Sequence, residues 1–339
     1  MFKDTLCLVA FTFAVVASAA CLAAESDTRV VVYSSEDQVC SEPILHDFEH
    51  DTGIHVEAVY DKEAAEQVMK RLLAEKDDPQ ADVYWANEPI HPDLLKERGI
   101  STPYFSANAQ KLPATFKDVD GYWTAFSARA RVLLVNNPEL QNPASLEAYA
   151  DPKWKDRAVL ANPLLNTTGF TLTALFQIWG DKRAQTFLAR VKDNGVKFSP
   201  GNGDSAGAVA AGKASFSLVD IDDAFSAKAK SSNVQIIYPD QQTNQIGLFL
   251  VANAVTLIRG GHHQENGRKL IDYLLTPEVQ RKLAYSSCAQ TPLLAGVDTP
   301  ERVKRIETIK YMKVNYSAIR KKFDSLKPLF ESWASSLPR

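Results

Sequence analysis

The sequence predicts an α/β protein of two lobes that face each other across a cleft. Three observations predict it. Short β-branched or apolar runs alternate with helical patterns along the chain. Strand after strand closes in small polar or acidic residues, and a helix start follows. The 339 residues suffice for two domains of ordinary size.

Composition narrows the function classes. The chain is 45% hydrophobic and 23% charged, as soluble globular proteins are. Its net charge is −3 and it carries no basic block, so nucleic-acid binding has no electrostatic support.

The N-terminus reads differently. Lys3 precedes an almost unbroken apolar run from Leu6 to Ala20, and Ala24-Glu25 opens onto polar sequence. That is the layout of a secretory signal over residues 1–24, so the chain is expected to be exported and periplasmic. The run is short for a membrane span of ~20 residues. Cys21 after Ser18-Ala19-Ala20 invites a lipid anchor, although the bacterial lipidation motif prefers a larger aliphatic where Ser18 stands. Export removes Cys7 and Cys21 from the count and leaves Cys40 and Cys288. Two thiols in an oxidising compartment suggest one disulfide, with two buried free thiols as the alternative.

Taken in order, the strand candidates are Arg29–Tyr33, Ile54–Tyr60, Ala81–Trp85, Arg131–Val135, Ala158–Ala161, Val196–Phe198, Ser215–Val219, Val234–Tyr238 and Gly247–Val251. Helical stripes lie between them, among them Ala65, Val68, Met69 and Leu72, then Ala184, Phe187, Leu188 and Val191. Leu270, Ile271, Leu274 and Leu275 form a third. Each stripe reads as a face packed on a sheet. The tail from Pro300 to Leu337 reads as two helices, broken near Lys313–Ser317 and at Pro328.

The polar clusters sit at the carboxyl ends of the predicted strands. The first is Ser34-Ser35-Glu36-Asp37-Gln38, where Ser35 and Gln38 have capping-box spacing. Asn87-Glu88 follows Trp85, and Thr167-Thr168-Gly169 opens the helix running to Trp179. Asn202-Gly203-Asp204-Ser205 and Asp220-Ile221-Asp222-Asp223 complete the set, with Gly212 suited to a helix C′ position. Open α/β sheets bind ligands beyond the carboxyl ends of their strands, where helix N-termini offer N–H groups and a positive dipole end. Clusters from two parts of the chain imply two sheets confronting each other, and pockets favour such interfaces.

At this point the chain is similar to the extracellular solute-binding proteins of ATP-driven importers, in the branch related to ferric-iron-binding proteins. The resemblance is carried by Val30-Val31-Val32-Tyr33-Ser34-Ser35, Phe48-Glu49-His50-Asp51-Thr52-Gly53-Ile54 and Ala81-Asp82-Val83-Tyr84-Trp85. Arg131-Val132-Leu133-Leu134-Val135-Asn136 and Leu218-Val219-Asp220-Ile221-Asp222-Asp223-Ala224 complete it. It implies a type II-like periplasmic-binding-protein clamshell with two crossover strands at the hinge, near Phe126–Arg129 and Val251–Asn253. Residues 25–127 with 252–299 would form the first lobe, 128–251 the second, and 300–339 C-terminal helices packed on both. It also implies a monomer that works with the permease and ATPase subunits of an ABC-type importer.

Ferric binders of this branch hold the metal with adjacent tyrosines, a histidine and a carboxylate, plus an anion. This chain departs from that pattern: Asp222 and Asp223 stand where the tyrosine pair is expected, and Asp37 where the histidine is. Carboxylates are still hard oxygen donors. Asp37, Glu88, Asp220 and Asp222 are therefore the metal candidates if the cargo is ferric iron, with phosphate or carbonate as its companion. No resident cofactor is expected. The turn Thr167-Thr168-Gly169 matches the position where the family cradles an anion, and Gly169 lacks a Cβ that would block close approach; the alternative is that Thr167 only caps the helix. Asn202, Ser205, Ser34 and Ser35 are further contact candidates, or simply turn and cap residues. Asp222 and Asp223 alternatively cap their own helix. Arg129 either reaches an anionic ligand or bridges the lobes, and His262-His263 reads as a solvated turn.

Two ligand types satisfy anion-binding helix starts beside carboxylates. One is ferric iron with a synergistic anion; the other is a small phosphonate or phospho-compound with an amine. A periplasmic sensing module would use the same cleft. A carboxylate-based enzyme is disfavoured, because the chain has no His-Glu-x-x-His and the exported clamshell pattern needs no turnover to explain it.

Overall fold

A computed structural model of the protein describes residues 28–60, 66–136, 142–164 and 167–335. The apolar N-terminal run, Cys21 and Asn166 lie outside the described residues. In chain order the elements are β1 (Arg29–Ser34), α1 (Gln38–Thr52), β2 (His55–Tyr60), α2 (Glu66–Ala74), β3 (Val83–Ala86), α3 (Ile90–Glu97) and β4 (Ser101–Thr102). The long strand β5 (Thr124–Asn136) follows, then β6 (Ala158–Ala161), α4 (Thr167–Trp179), α5 (Asp181–Asp193), β7 (Lys197–Ser199) and α6 (Asn202–Ala210). Next come β8 (Phe216–Asp220), α7 (Ile221–Lys230), β9 (Val234–Ile237) and β10 (Leu250–Ile258). The chain ends with α8 (Gln264–Leu274), α9 (Pro277–Tyr285), β11 (Thr291–Pro292) and α10 (Tyr316–Ser335).

The strands build two sheets that share β5. In the first, β2, β1 and β3 run parallel, and β10 lies antiparallel between β3 and β5. In the second, β8, β6 and β7 run parallel, while β5 is antiparallel to β8 and β9. Parallel pairing thus holds within each lobe, but the strands that join the lobes are antiparallel. β5 pairs with β10 through Ala130 and with β8 from Arg131 onward. The chain returns at Phe249–Leu250, where the carbonyl of Phe249 accepts from Arg131 N–H at 3.0 Å. Gly247, with φ +83°, makes this return possible, since a Cβ there would stand 2.7 Å from the Lys310 backbone.

Local sequence explains the elements. The inner parallel strands β1, β6 and β8 are largely aliphatic because both their faces are buried, whereas the edge strands β2 and β7 are partly exposed. α1 ends on Gly53 in the left-handed region, whose N–H returns to the Glu49 carbonyl. Thr276 caps α9, with Pro277 inside the first turn.

Several expectations need correction. The Ser35–Gln38 capping box does not form: Asp37 is the N-cap of α1 and its side chain makes no cap bond. β5 begins seven residues before the expected Arg131. β10 runs Leu250–Ile258, well past the expected end at Val251. The tail from Pro300 holds one α-helix, α10, which begins only at Tyr316 and passes through Pro328 without a break. It lies against both lobes: Arg320 Nε donates to Asp93 of α3 at 3.2 Å, and Trp333 Nε1 donates to the Leu188 carbonyl of α5 at 3.1 Å. Among the described residues no helix is long and apolar enough to cross a membrane. Cys40 and Cys288 are joined by a disulfide with Cα atoms 6.2 Å apart.

Candidate ligand-binding cleft

The carboxyl ends of β1 and β3 from one lobe and of β6, β7 and β8 from the other converge on the strand that joins them. Between them lies an open cavity of about 670 Å³. Asn87, Glu88 and His91 line it from the first lobe, and Thr167, Asn202, Gly203, Asp220 and Asp223 from the second, with Arg129 of β5 between the two groups.

The second lobe's wall is organised around a buried cation. Arg131 is fully buried, and its register partner across the sheet is Asp220. Its guanidinium donates to Asp220 at 2.8 Å, to the Thr167 hydroxyl at 3.0 Å and to the Thr168 hydroxyl at 3.0 Å. Asn202 Nδ2 donates to Asp220 at 3.3 Å, and the Thr167 hydroxyl lies 3.1 Å from the same carboxylate. Burial alone would raise the Asp220 pKa, but Arg131 and Arg129 outweigh it and hold the carboxyl below its ordinary range. Asp220 therefore stays ionised and anchors the starts of α4 and α6 to the end of β8.

Arg129 belongs to neither lobe alone. It donates to the Asn87 carbonyl of the first lobe at 3.0 Å and reaches Asp220 of the second at 3.4 Å. Its Nε has no hydrogen-bond partner among the described residues. Burial opposes its charge, but Asp220, Asp222, Glu36 and Glu88 more than offset this and hold the guanidinium ionised.

The remaining carboxyls feel one another. Burial and the neighbouring Asp222 and Asp220 push Asp223 up to about 7. Burial pushes Glu36 up to about 8; Arg129 opposes the shift, while Asp37 and Asp222 add to it. Asp222 and Glu88 are likewise raised, chiefly by burial. One carboxylate oxygen from each of Asp220, Asp222 and Asp223 lies within 4.8 Å of the others. Asp222 Oδ1 and Asn202 Oδ1 are buried without a hydrogen-bond partner among the described residues. The cleft thus gathers several carboxyls whose burial and mutual repulsion oppose ionisation beside the two cations Arg129 and Arg131.

Not every residue suggested by the sequence faces this space. Glu88, Thr167, Asn202 and Asp220 do, and Asp222 sits beside them at the start of α7. Thr168 is fully buried beneath Arg131. Ser205 is fully buried against Ser199, 2.6 Å away, and the Ser34 hydroxyl accepts from Glu36 N–H at 3.1 Å. Ser35 accepts from Asn87 N–H at 3.1 Å and so shapes the neighbouring loop. Asp37 is exposed at the start of α1. The reason for Gly169 is also different: a Cβ there would meet the Pro163 carbonyl at 2.1 Å and the Phe323 ring at 2.6 Å. It is needed for packing, not for approach of a ligand. Asp223, weighed from the sequence as a possible helix cap, lines the cavity, and His91 and Glu36 join the site without having been singled out for it. Glu36 was visible only as an acid at a strand end. His91 stands three residues beyond Glu88, one helical turn on, and that spacing was its only signal.

Comparison with known proteins agrees with this architecture. The family of bacterial extracellular solute-binding proteins matches residues 79–322. The iron uptake protein A1 of Synechocystis is 26% identical over 283 residues, covering 79% of this chain and 77% of that one. A putative 2-aminoethylphosphonate-binding periplasmic protein of Salmonella typhi is 24% identical over 221 residues, 64% of each chain. Among solved structures, the ferric binding protein from Campylobacter jejuni superposes with a TM-score of 0.79 at 22% identity, covering 90% of this chain and 99% of that one. A periplasmic binding protein from Actinobacillus pleuropneumoniae with fructose-6-phosphate bound gives 0.73 at 20% identity, covering 91% and 98%. These superpositions show a shared two-lobed fold.

Proposed function

We propose, from the premise that the chain belongs to the bacterial extracellular solute-binding protein family, that its cleft captures a small organic solute with an anionic head and an ammonium end. A phosphonate or phosphate ester carrying an amine is the ligand class. The observation that carries this reading is Arg129, a cation at the junction of the lobes whose Nε has no hydrogen-bond partner among the described residues, with Glu36, Glu88, Asp220 and Asp222 acting on its charge. The head would sit on Arg129 and on the starts of α6 and α7, whose first N–H groups have no partner within the helix. The ammonium would sit among Glu88, Asp222 and Asp223 and would displace their protons near neutral pH.

The wider role follows from the family. The liganded protein would dock on the permease and ATPase subunits of an importer outside the cytoplasmic membrane, as a monomer and without turnover. The kinship with a protein named for 2-aminoethylphosphonate supports the ligand class. So does the lining of the cavity, to which no tyrosine contributes among the described residues.

A second reading keeps a specific observation. The oxygens of Asp220, Asp222 and Asp223 are close enough to share a hard cation, and another relative is named for iron uptake. Ferric iron would then be the cargo, with an anion on Arg129. Calorimetric titration separates the two. Binding of 2-aminoethylphosphonate, weakened at least tenfold by Arg129→Met, is the expected result. Binding of ferric citrate alone would favour the metal, and no loss in Arg129→Met would overturn the role given to Arg129.

A further inference from the structure

The cavity is larger than its charged centre, and its lining changes character along the helices that wall it. The polar residues stand at helix starts: Asn87 and Glu88 just before α3, Thr167 at the first residue of α4, Asn202 at the first of α6. Beside them the same cavity is lined by Ile90, the first residue of α3, by Leu94 one turn on, and by Phe170 one turn into α4. Phe323 of α10 completes this wall, its ring 4.9 Å from that of Phe170 at 68°. Leu94 and Phe170 are only half-buried, and they face a space that is continuous with the site at Arg129.

We propose that this wall is a second subsite, and that the ligand carries an apolar alkyl or ring segment extending from its charged head toward α10. The inference rests on the reading of the charged centre given above and deepens it. A volume of about 670 Å³ suits a ligand well beyond the size of an aminoethylphosphonate. A bare cation with a small anion would have no use for four apolar side chains at one end of its site. Arg320, Asp324 and Lys327 of α10 line the same cavity, with Lys327 2.8 Å from Asp324 and 5.4 Å from the Phe323 ring centre. The apolar stretch is therefore flanked by charged groups of α10 as well as by the centre at Arg129, which favours a segment of limited length.

The test uses the mature chain in two arms. In the first, ω-aminoalkylphosphonates of two to six carbons are titrated by calorimetry into wild type, Leu94→Asn and Phe170→Ser. Affinity should rise by about fourfold for each buried methylene before levelling, and both variants should flatten that series. A flat or falling series in wild type, with the two-carbon compound bound, overturns the second subsite and leaves the charged centre standing. In the second arm, the apolar sulfonate dye 8-anilinonaphthalene-1-sulfonate is titrated with fluorescence detection. Enhanced emission in wild type, lost in both variants at unchanged circular dichroism, supports the subsite even where no phosphonate binds. Absence of dye binding, or equal binding by all three proteins, overturns it.

Discussion

Arg131 never touches the cavity, yet the second lobe's half of the site is assembled on it. Its partner Asp220 has a dense set of donors, so this carboxylate contributes a fixed negative charge. The carboxyls of Glu36 and Asp223 behave differently. Glu36 accepts from Gln290 at 2.9 Å through one oxygen, while its other oxygen has no hydrogen-bond partner among the described residues. Its pKa of about 8 in the folded protein lies above the ordinary value of 4.5. The native state therefore binds the extra proton, and its stabilising effect is fully present below pH ~4.5 and fades as pH rises toward 8. Asp223 behaves in the same way up to about 7. Thermal unfolding of the ligand-free protein should fall in midpoint from pH 5 to pH 8. Glu36→Gln should reduce that fall and be the more stable protein at pH 8; equal slopes would show that Glu36 ionises normally. Gly169 makes a separate prediction. Gly169→Ala should destabilise the fold by about 1–3 kcal/mol, as overpacking does, with ligand affinity retained below the unfolding transition. A loss of affinity without loss of stability would restore its role as an anion cradle.

At the scale of elements, the strands were legible where they are β-branched and buried on both faces, as in β1 and β6. The first half of β5 was not. Thr124-Ala125-Phe126-Ser127-Ala128-Arg129-Ala130 has weak strand propensity, and it is held extended by β10 on one edge and β11 along part of it. α10 shows the same override. Proline inside a helix costs ~3 kcal/mol relative to alanine, but Phe323, Phe330 and Trp333 are buried on either side of Pro328 and keep the helix whole. The disulfide fastens the start of α1 to the segment leading into β11, which pairs with β5 at Ala128. Replacing Cys40 and Cys288 by serine together should cost about 2–5 kcal/mol, measured by denaturant unfolding. No change would mean that Gln290 and the surrounding packing already hold that segment in place.

At the scale of the molecule, the cleft could be read from the sequence because its clusters fall at strand ends, where open α/β sheets place ligands. Which side chains enter it could be read only in part: Glu88, Thr167, Asn202 and Asp220 do, but others named with them do not. That depends on pairings between distant strands: Thr168 is claimed by Arg131, and Ser205 by Ser199. The same pairings put Arg129 where one strand passes from lobe to lobe, in contact with both. A ligand held there touches both walls at once, and its binding energy can bring them together. Hydrogen exchange followed by mass spectrometry, with saturating 2-aminoethylphosphonate and with ferric citrate in parallel, tests this most directly. With whichever compound binds, exchange should slow in both Asn87–Leu94 and Asn202–Ala224. Protection confined to one of these segments, or placed away from both, would contradict it.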